Sequence, residues 1–206
     1  VNTPAFLAML PEVEGLRGLD IGCVEGHNTR LVAQRGARLV AIDVSGRFLA
    51  AARSHRMGSL LDIRHARASG TELPFAAASF DFVMATMSFM DMPAHDRAVA
   101  ECFRILRPGG FLQFSISHPC FATPRWRWAL DERGRRDVLE CGDYFRAMEG
   151  DVESWMFTAA PEESRREFPF FHVPRFSRTL SSWLNLLIDT GFAVERFDEP
   201  TANEEA

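Results

Sequence analysis

The sequence predicts an α/β fold built on a doubly wound, mostly parallel sheet. Three observations carry this reading. Short apolar runs alternate with helix-period segments from Leu16 to Ile116, and such alternation implies parallel strands joined by crossover helices. The first apolar run ends in a glycine turn, Asp20-Ile21-Gly22-Cys23-Val24-Glu25-Gly26. The second, Leu39-Val40-Ala41-Ile42, closes on an acid, Asp43. Glycines let backbone N–H groups approach a ligand, and a helix N-terminus adds partial positive charge. An acid ending the next strand can accept both hydroxyls of a ribose. Together these features describe a nucleoside-cofactor site.

The elements follow in order. A short helix is expected near Ala5–Leu10, then a first strand over Leu16–Gly22. Asn28–Arg35 reads as a helix with Asn28 as its N-cap, and Arg38–Asp43 as the second strand. Ser45 caps a helix running to His55, and Leu60–His65 is the third strand. Ser79–Ala85 is the fourth strand. In the helix after it, Val99, Cys102, Phe103 and Leu106 form one buried stripe. The turn Arg107-Pro108-Gly109-Gly110 stops that helix and launches the fifth strand, Phe111–Ile116. Alternation then fails. Residues 118–178 are expected to form a helical, aromatic insert holding Phe121, Trp126, Trp128, Tyr144, Phe157, Phe168 and Phe176. Beyond it, Leu180, Trp183, Leu184, Leu187 and Ile188 make the apolar face of a last helix. Gly191 ends that helix, and Phe192–Phe197 reads as a further strand. The domain plan is a core over 1–117, an insert or lid for substrate over 118–178, and a last helix and strand over 179–206.

Composition narrows the function classes. All 23 cationic Lys+Arg positions are arginine, so no lysine Schiff base and no P-loop lysine exist. The formal net charge of −5 disfavours a nucleic-acid partner, which needs basic excess. No apolar run reaches membrane-spanning length, and no signal-peptide pattern opens the chain. Cys23, Cys102, Cys120 and Cys141 lack metal-site or CxxC spacing, which suits free thiols in a cytoplasmic protein. The first residue is Val1, so a trimmed product is expected.

The glycine turn fits the dinucleotide fingerprint poorly, with Gly22, Val24 and His27 at its three glycine places. This disfavours a nicotinamide-dependent oxidoreductase. The turn fits an acid-x-G-x-G-x-G pattern at Asp20, Gly22 and Gly26 and departs from it at Val24. Downstream come Thr71-Glu72-Leu73-Pro74-Phe75 and Ser79-Phe80-Asp81, then Glu101, Arg104, Leu106 and Arg107-Pro108-Gly109-Gly110. On these segments, in order and at matching spacing, the chain resembles the class I S-adenosylmethionine-dependent methyltransferases, and especially their small-molecule, type 11 branch.

The resemblance implies a Rossmann-like methyltransferase sheet, S-adenosyl-L-methionine as cofactor and a small-molecule methyl acceptor. It implies that the backbone of Gly22, Cys23 and Gly26 lines the methionine part of the cofactor. Asp20 orients the cofactor's amino group, and Asp43, with Val44 beside it, holds the ribose. Phe48 or Val44 packs on the adenine. An adenine-binding acid after the third strand is absent here, leaving Ser69 or the Ala68 backbone to serve. Thr86, at the end of the fourth strand, faces the reacting methyl. The family's sheet finishes with a seventh, antiparallel strand, and no sequence after Ala206 remains to make it, so a gap or exposed edge is expected.

Three further residues are candidates for handling a substrate proton or orienting the substrate. His118 lies just past the fifth strand, at the carboxyl edge of the sheet where ligands bind. His172 and Tyr144 lie in the insert. Two readings of Val24 stand side by side. Either its branched side chain disfavours a positive φ and weakens cofactor binding, or the position has an ordinary φ with the side chain turned away. The first supports an alternative function, a cofactor-fold protein with weak or no cofactor binding and a regulatory or partner-binding role.

Overall fold

A computed structural model describes residues 2–55, 61–155, 162–167 and 170–201. The chain divides into two compact units. The first comprises Val1–Phe89, Ala94–Ile116 and Leu184–Ala206, and the second Met90–Pro93 and Ser117–Trp183.

The first unit is built on one five-stranded sheet. Its strands are β1 (Arg17–Ile21), β2 (Arg38–Asp43), β3 (Ile63–Arg67), β4 (Phe80–Thr86) and β5 (Leu106–Ser115). The spatial order is β3-β2-β1-β4-β5, and every pairing is parallel. Helices α1 (Asn2–Met9), α2 (His27–Ala33), α3 (Gly46–Ser54) and α4 (His95–Ile105) intersperse with the strands. The order reverses between β1 and β4, and the doubly wound sheet expected from sequence is present. Among the described residues the sheet has five strands, with β3 and β5 at its edges.

The central strands are buried on both faces, as continuous apolar runs require. Leu19 and Ile21 of β1 and Phe80, Phe82, Val83, Met84 and Ala85 of β4 are fully enclosed. Phe6, Leu10, Val13, Val32, Leu39, Phe82 and Met84 form one core cluster. Gly18 has a steric purpose there. A Cβ on it would lie 2.2 Å from the Phe82 ring.

Several local expectations need correction. The N-cap of α2 is Gly26, not Asn28, whose side-chain oxygen instead accepts from the Thr3 hydroxyl at 3.0 Å. Ser45 does cap α3, accepting from the Phe48 N–H at 3.4 Å. The third strand is shifted toward the C-terminus, and Leu60 lies outside the described residues. The buried stripe of α4 is Ala98, Val99, Cys102 and Ile105. Phe103 is exposed beside it and meets Phe192 edge-on, with ring centroids 5.0 Å apart. That contact accounts for the end of the chain as well. Phe192–Phe197 forms no strand; the Phe192 N–H instead donates back to the Leu187 carbonyl at 3.0 Å, and its ring docks on Phe103. The last helix, α6 (Leu180–Thr190), has Trp183 as its buried residue, and Ile188 is exposed.

The second unit is not helical in the main, as the sequence had suggested. Its strands β6 (Arg125–Leu130) and β7 (Arg136–Gly142) form one antiparallel ribbon. A second ribbon joins β8 (Met148–Trp155) and β9 (Phe171–Ser177). The short helix α5 (Glu162–Glu167) lies between β8 and β9 in the chain. Phe121, Trp126, Trp128, Phe145 and Phe170 are exposed, while Met148, Thr123 and Trp183 are buried. Phe157 and Phe168 lie outside the described residues. No helix among the described residues is long and apolar enough to cross a membrane.

Candidate functional site

The glycine turn leaves β1 and folds back on the end of β2. The N–H groups of Gly22 and Cys23 both donate to the Ile42 carbonyl, at 2.9 and 3.0 Å. Gly22 has φ +74° and Gly26 has φ +76°, the left-handed region that favours glycine. Gly22 also makes a close approach, since a Cβ there would lie 2.5 Å from that of Ser88. Ser88 in turn donates its hydroxyl to the Ile21 carbonyl at 2.8 Å. Val24 too lies in the left-handed region, with φ +49°, and its side chain is 38% exposed. The reading that gave Val24 an ordinary φ is therefore overturned. The loop keeps a glycine-like path with a branched residue in it.

Asp43 is fastened at the end of β2 by two backbone donors. The Val24 N–H reaches Oδ2 at 3.1 Å and the Ser45 N–H reaches Oδ1 at 2.8 Å. Each carboxylate oxygen keeps a second lone pair for a further donor. Asp20, one strand over, is buried and accepts from the Thr29 hydroxyl at 2.5 Å. Burial raises its pKa to about 7; the Thr29 hydrogen bond opposes this, and the nearby charge of Asp43 adds to it. Burial also pushes the Cys23 thiol well above its ordinary range, with Asp20 and Asp43 reinforcing the shift. Cys23 is therefore a thiol and not a thiolate, and what it presents to a ligand is its backbone.

Beside Asp43 stand two apolar side chains that the protein leaves uncovered, Val44 at 63% and Phe48 at 47% exposure. After β3, the Ala68 N–H approaches the Asp43 carbonyl at 3.4 Å. The Ser69 hydroxyl lies 2.8 Å from that of Thr71 and accepts from the Thr71 N–H at 3.2 Å, so it is already engaged. At the end of β4 the Thr86 hydroxyl is buried and has no hydrogen-bond partner among the described residues. Met87 follows it with φ +53°. Asp20, Gly22, Cys23, Gly26, Asp43, Val44, Phe48, Ala68, Ser69 and Thr86 thus all lie at or just beyond the carboxyl ends of β1 to β4.

These residues suit a nucleoside bearing an amino-acid tail. A fastened carboxylate with free lone pairs matches a ribose diol, and exposed apolar side chains match a purine face. A buried hydroxyl without a partner marks a place where a polar ligand atom belongs. Among the described residues no group of three His, Cys, Asp or Glu side chains is placed to hold a metal ion.

The three candidates for proton handling lie in the second unit, at separate places. His118 is in the turn after β5. Its Nδ1 accepts from the Cys120 N–H at 3.2 Å, which puts the proton of a neutral ring on Nε2. It lines a cavity of about 220 Å³ with Phe121, Trp126 and Arg175. Tyr144 accepts from the Leu180 N–H at 2.8 Å, at the start of α6. His172, on β9, has Nδ1 3.1 Å from the Ser154 hydroxyl. The sequence reading overlooked Asp91, which lines a second cavity in this unit, of about 250 Å³. Its one signal in the sequence is its place, five residues past the end of β4.

Comparison with known proteins is consistent with this geometry. A family profile described as a methyltransferase domain matches residues 19–114. An S-adenosylmethionine-dependent methyltransferase from Mesorhizobium loti is 31% identical, with 94% of this chain and 81% of that one aligned at a TM-score of 0.73. A Listeria monocytogenes protein described as a putative methyltransferase of the same kind shares the fold at 21% identity, with a TM-score of 0.78 over 97% of this chain and 87% of that one. A malonyl-acyl-carrier-protein O-methyltransferase from Enterobacter lignolyticus is 32% identical over 134 residues, which is 64% of this chain and 52% of the relative. The chain spans about half the length of the curated relatives it matches. The aligned loop, strands and helices make the chain a member of the S-adenosylmethionine-dependent methyltransferase family.

Proposed function

We propose that this chain transfers a methyl group from S-adenosyl-L-methionine to a small-molecule acceptor. The observation that carries the reading is Asp43, pinned by the Val24 and Ser45 N–H groups with lone pairs left for a ribose diol. In this reading the backbone of Gly22, Cys23 and Gly26 lines the methionine portion of the cofactor. Asp20 sets the charge that its ammonium meets, and Val44 or Phe48 covers the adenine. Ala68 or Ser69 meets the adenine edge, although the Ala68 N–H already donates to the Asp43 carbonyl and the Ser69 hydroxyl is engaged with Thr71. Thr86 offers its unpartnered hydroxyl beside the reacting centre. The bound cofactor supplies an electrophilic methyl on a sulfonium.

The chain's own contribution is to position, to exclude water and to take a proton. Positioning supplies most of the acceleration in such a displacement. His118 is the proposed proton acceptor; its neutral ring carries hydrogen on Nε2, so it takes the proton on Nδ1 in exchange for the Cys120 N–H contact. Tyr144 and His172 are weaker candidates, since each is engaged in an internal contact. The second unit is proposed to receive the acceptor.

A second reading has one observation behind it, the left-handed branched residue at Val24. It makes the chain a cofactor-fold protein of weak affinity with a regulatory or partner-binding role. The test is formation of S-adenosylhomocysteine from S-adenosylmethionine on a panel of small amines, alcohols, phenols and thiols. Turnover that drops about 100-fold in His118→Ala, with unchanged S-adenosylhomocysteine affinity, is expected if His118 is the base. No turnover on any of these acceptors, together with no S-adenosylhomocysteine binding at millimolar ligand, would favour the second reading.

A further inference from the structure

The 250 Å³ cavity is lined entirely by residues of the second unit. Its walls include Met90, Phe176 and Trp183, and its polar lining includes Asp91, Glu153, Arg175 and Arg178. The lining holds two carboxylates and two guanidinium groups, and their pairing is uneven. Arg175 is paired with Glu153. Arg178 pairs with Glu149 at 3.0 Å and also donates to the Met148 and Ser177 carbonyls, at 3.3 and 2.9 Å. Asp91 makes no hydrogen bond and no ion pair among the described residues, and only the more distant charge of Arg175 acts on it. Both guanidinium groups of the lining are thus already paired, Arg178 with a glutamate outside the lining, and Asp91 is the lining carboxylate left without a close partner among the described residues. Asp91 is exposed to solvent as well as lining the cavity. Even so, enough protein surrounds it to push its carboxyl pKa up, against the pull of Arg175.

We propose that this cavity binds a small organic amine, with Asp91 as counter-ion to its ammonium and the aromatic wall against its apolar body. Aromatic faces attract cations as well as apolar surface. The volume is below the usual range for a drug-sized ligand, and a cavity of roughly 150 Å³ already holds one benzene ring. The ligand class is therefore an ammonium on a body about one ring in size. A carboxylate ligand of the same shape meets Asp91 as a like charge.

The binding claim stands independently of methyl transfer. That the amine is also the acceptor rests on the function proposed above. For an amine acceptor held in this cavity Asp91, in place of His118, takes the one proton that the ammonium loses. The lone pair so freed forms the N–C bond, while the electron pair of the broken methyl C–S bond stays with sulfur.

Calorimetry on the full chain without cofactor tests this, using benzylamine, benzyl alcohol and benzoate as probes of one shape and different charge. Benzylamine is expected to bind at least tenfold more tightly than benzoate. Asp91→Asn should weaken benzylamine at least fivefold and leave S-adenosylhomocysteine affinity unchanged. Trp183→Leu should weaken benzylamine as well. Benzoate binding as well as benzylamine, no binding of benzylamine, or an affinity indifferent to Asp91→Asn would overturn the proposal. Protein that binds benzylamine but not S-adenosylhomocysteine would keep the amine site and lose the methyl-transfer reading.

Discussion

At Val24 the backbone sits at φ +49°, in a region that costs a branched residue about 1–2 kcal/mol. The turn has accepted that strain and kept its course, as shown by the Val24 N–H still reaching Asp43 at 3.1 Å. The missing middle glycine therefore weakens the fold rather than reshaping the loop. Val24→Gly should stabilise the protein by about 0.5–1 kcal/mol, because relief of strain is partly offset by the greater freedom of glycine when unfolded. Urea denaturation of the two proteins reads this directly, and a destabilised variant would refute it. Asp20 makes a second prediction. Its folded pKa of about 7 lies above the ordinary 3.8, so the folded chain holds a proton that the unfolded chain releases. Stability should then fall as pH rises from about 4 to 7 and level off above that. Asp20→Asn should flatten the denaturation midpoint over that window. A slope unchanged by the substitution would show that Asp20 is not its source.

At the scale of elements, the family-like segments turn out to be clamps, one tying α4 to the loop after β3 and one tying β4 to β1 and β5. Glu101 on α4 accepts the Leu73 N–H at 2.8 Å, and Arg104 donates to the Phe75 and Leu73 carbonyls at 2.8 and 3.1 Å. Asp81 on β4 accepts the Arg17 N–H at 2.8 Å and the Arg107 guanidinium at 2.6 Å. The packing of β1 on β4 depends on Gly18, whose place leaves room for Phe82. Gly18→Ala should cost about 2–3 kcal/mol of stability, and Phe82→Leu in the same chain should recover part of it, as thermal denaturation can show. β1, β2 and β4 were legible in the sequence because buried parallel strands are unbroken apolar runs. The ribbon β6–β7 was not, because Arg125, Trp126, Arg127 and Trp128 are all exposed and show no contrast between faces. Phe192–Phe197 misled for the opposite reason. Its apolar residues look like a strand, but Phe192 turns its N–H back to the Leu187 carbonyl and its ring onto Phe103.

At the scale of the whole molecule, the cofactor-side candidates all fall in the first unit, and His118, Tyr144, His172 and Asp91 all fall in the second. The first group was readable because each residue follows a strand end, and strand ends were visible. Asp91 was not, since its significance depends on charges contributed by β8 and β9, far away in the chain. On this division we propose that the sheet captures the cofactor and that the ribbons choose the acceptor. Its foundation is the claim that the loop holding Val24 still binds the cofactor. Calorimetry of the full chain with S-adenosylhomocysteine measures that claim most directly. The account predicts saturable one-to-one binding by the wild-type chain and a loss of about 100-fold in affinity in Asp43→Ala, equivalent to two charge-assisted hydrogen bonds. No binding by the folded wild-type chain at millimolar ligand, with binding appearing only in Val24→Gly, would contradict it.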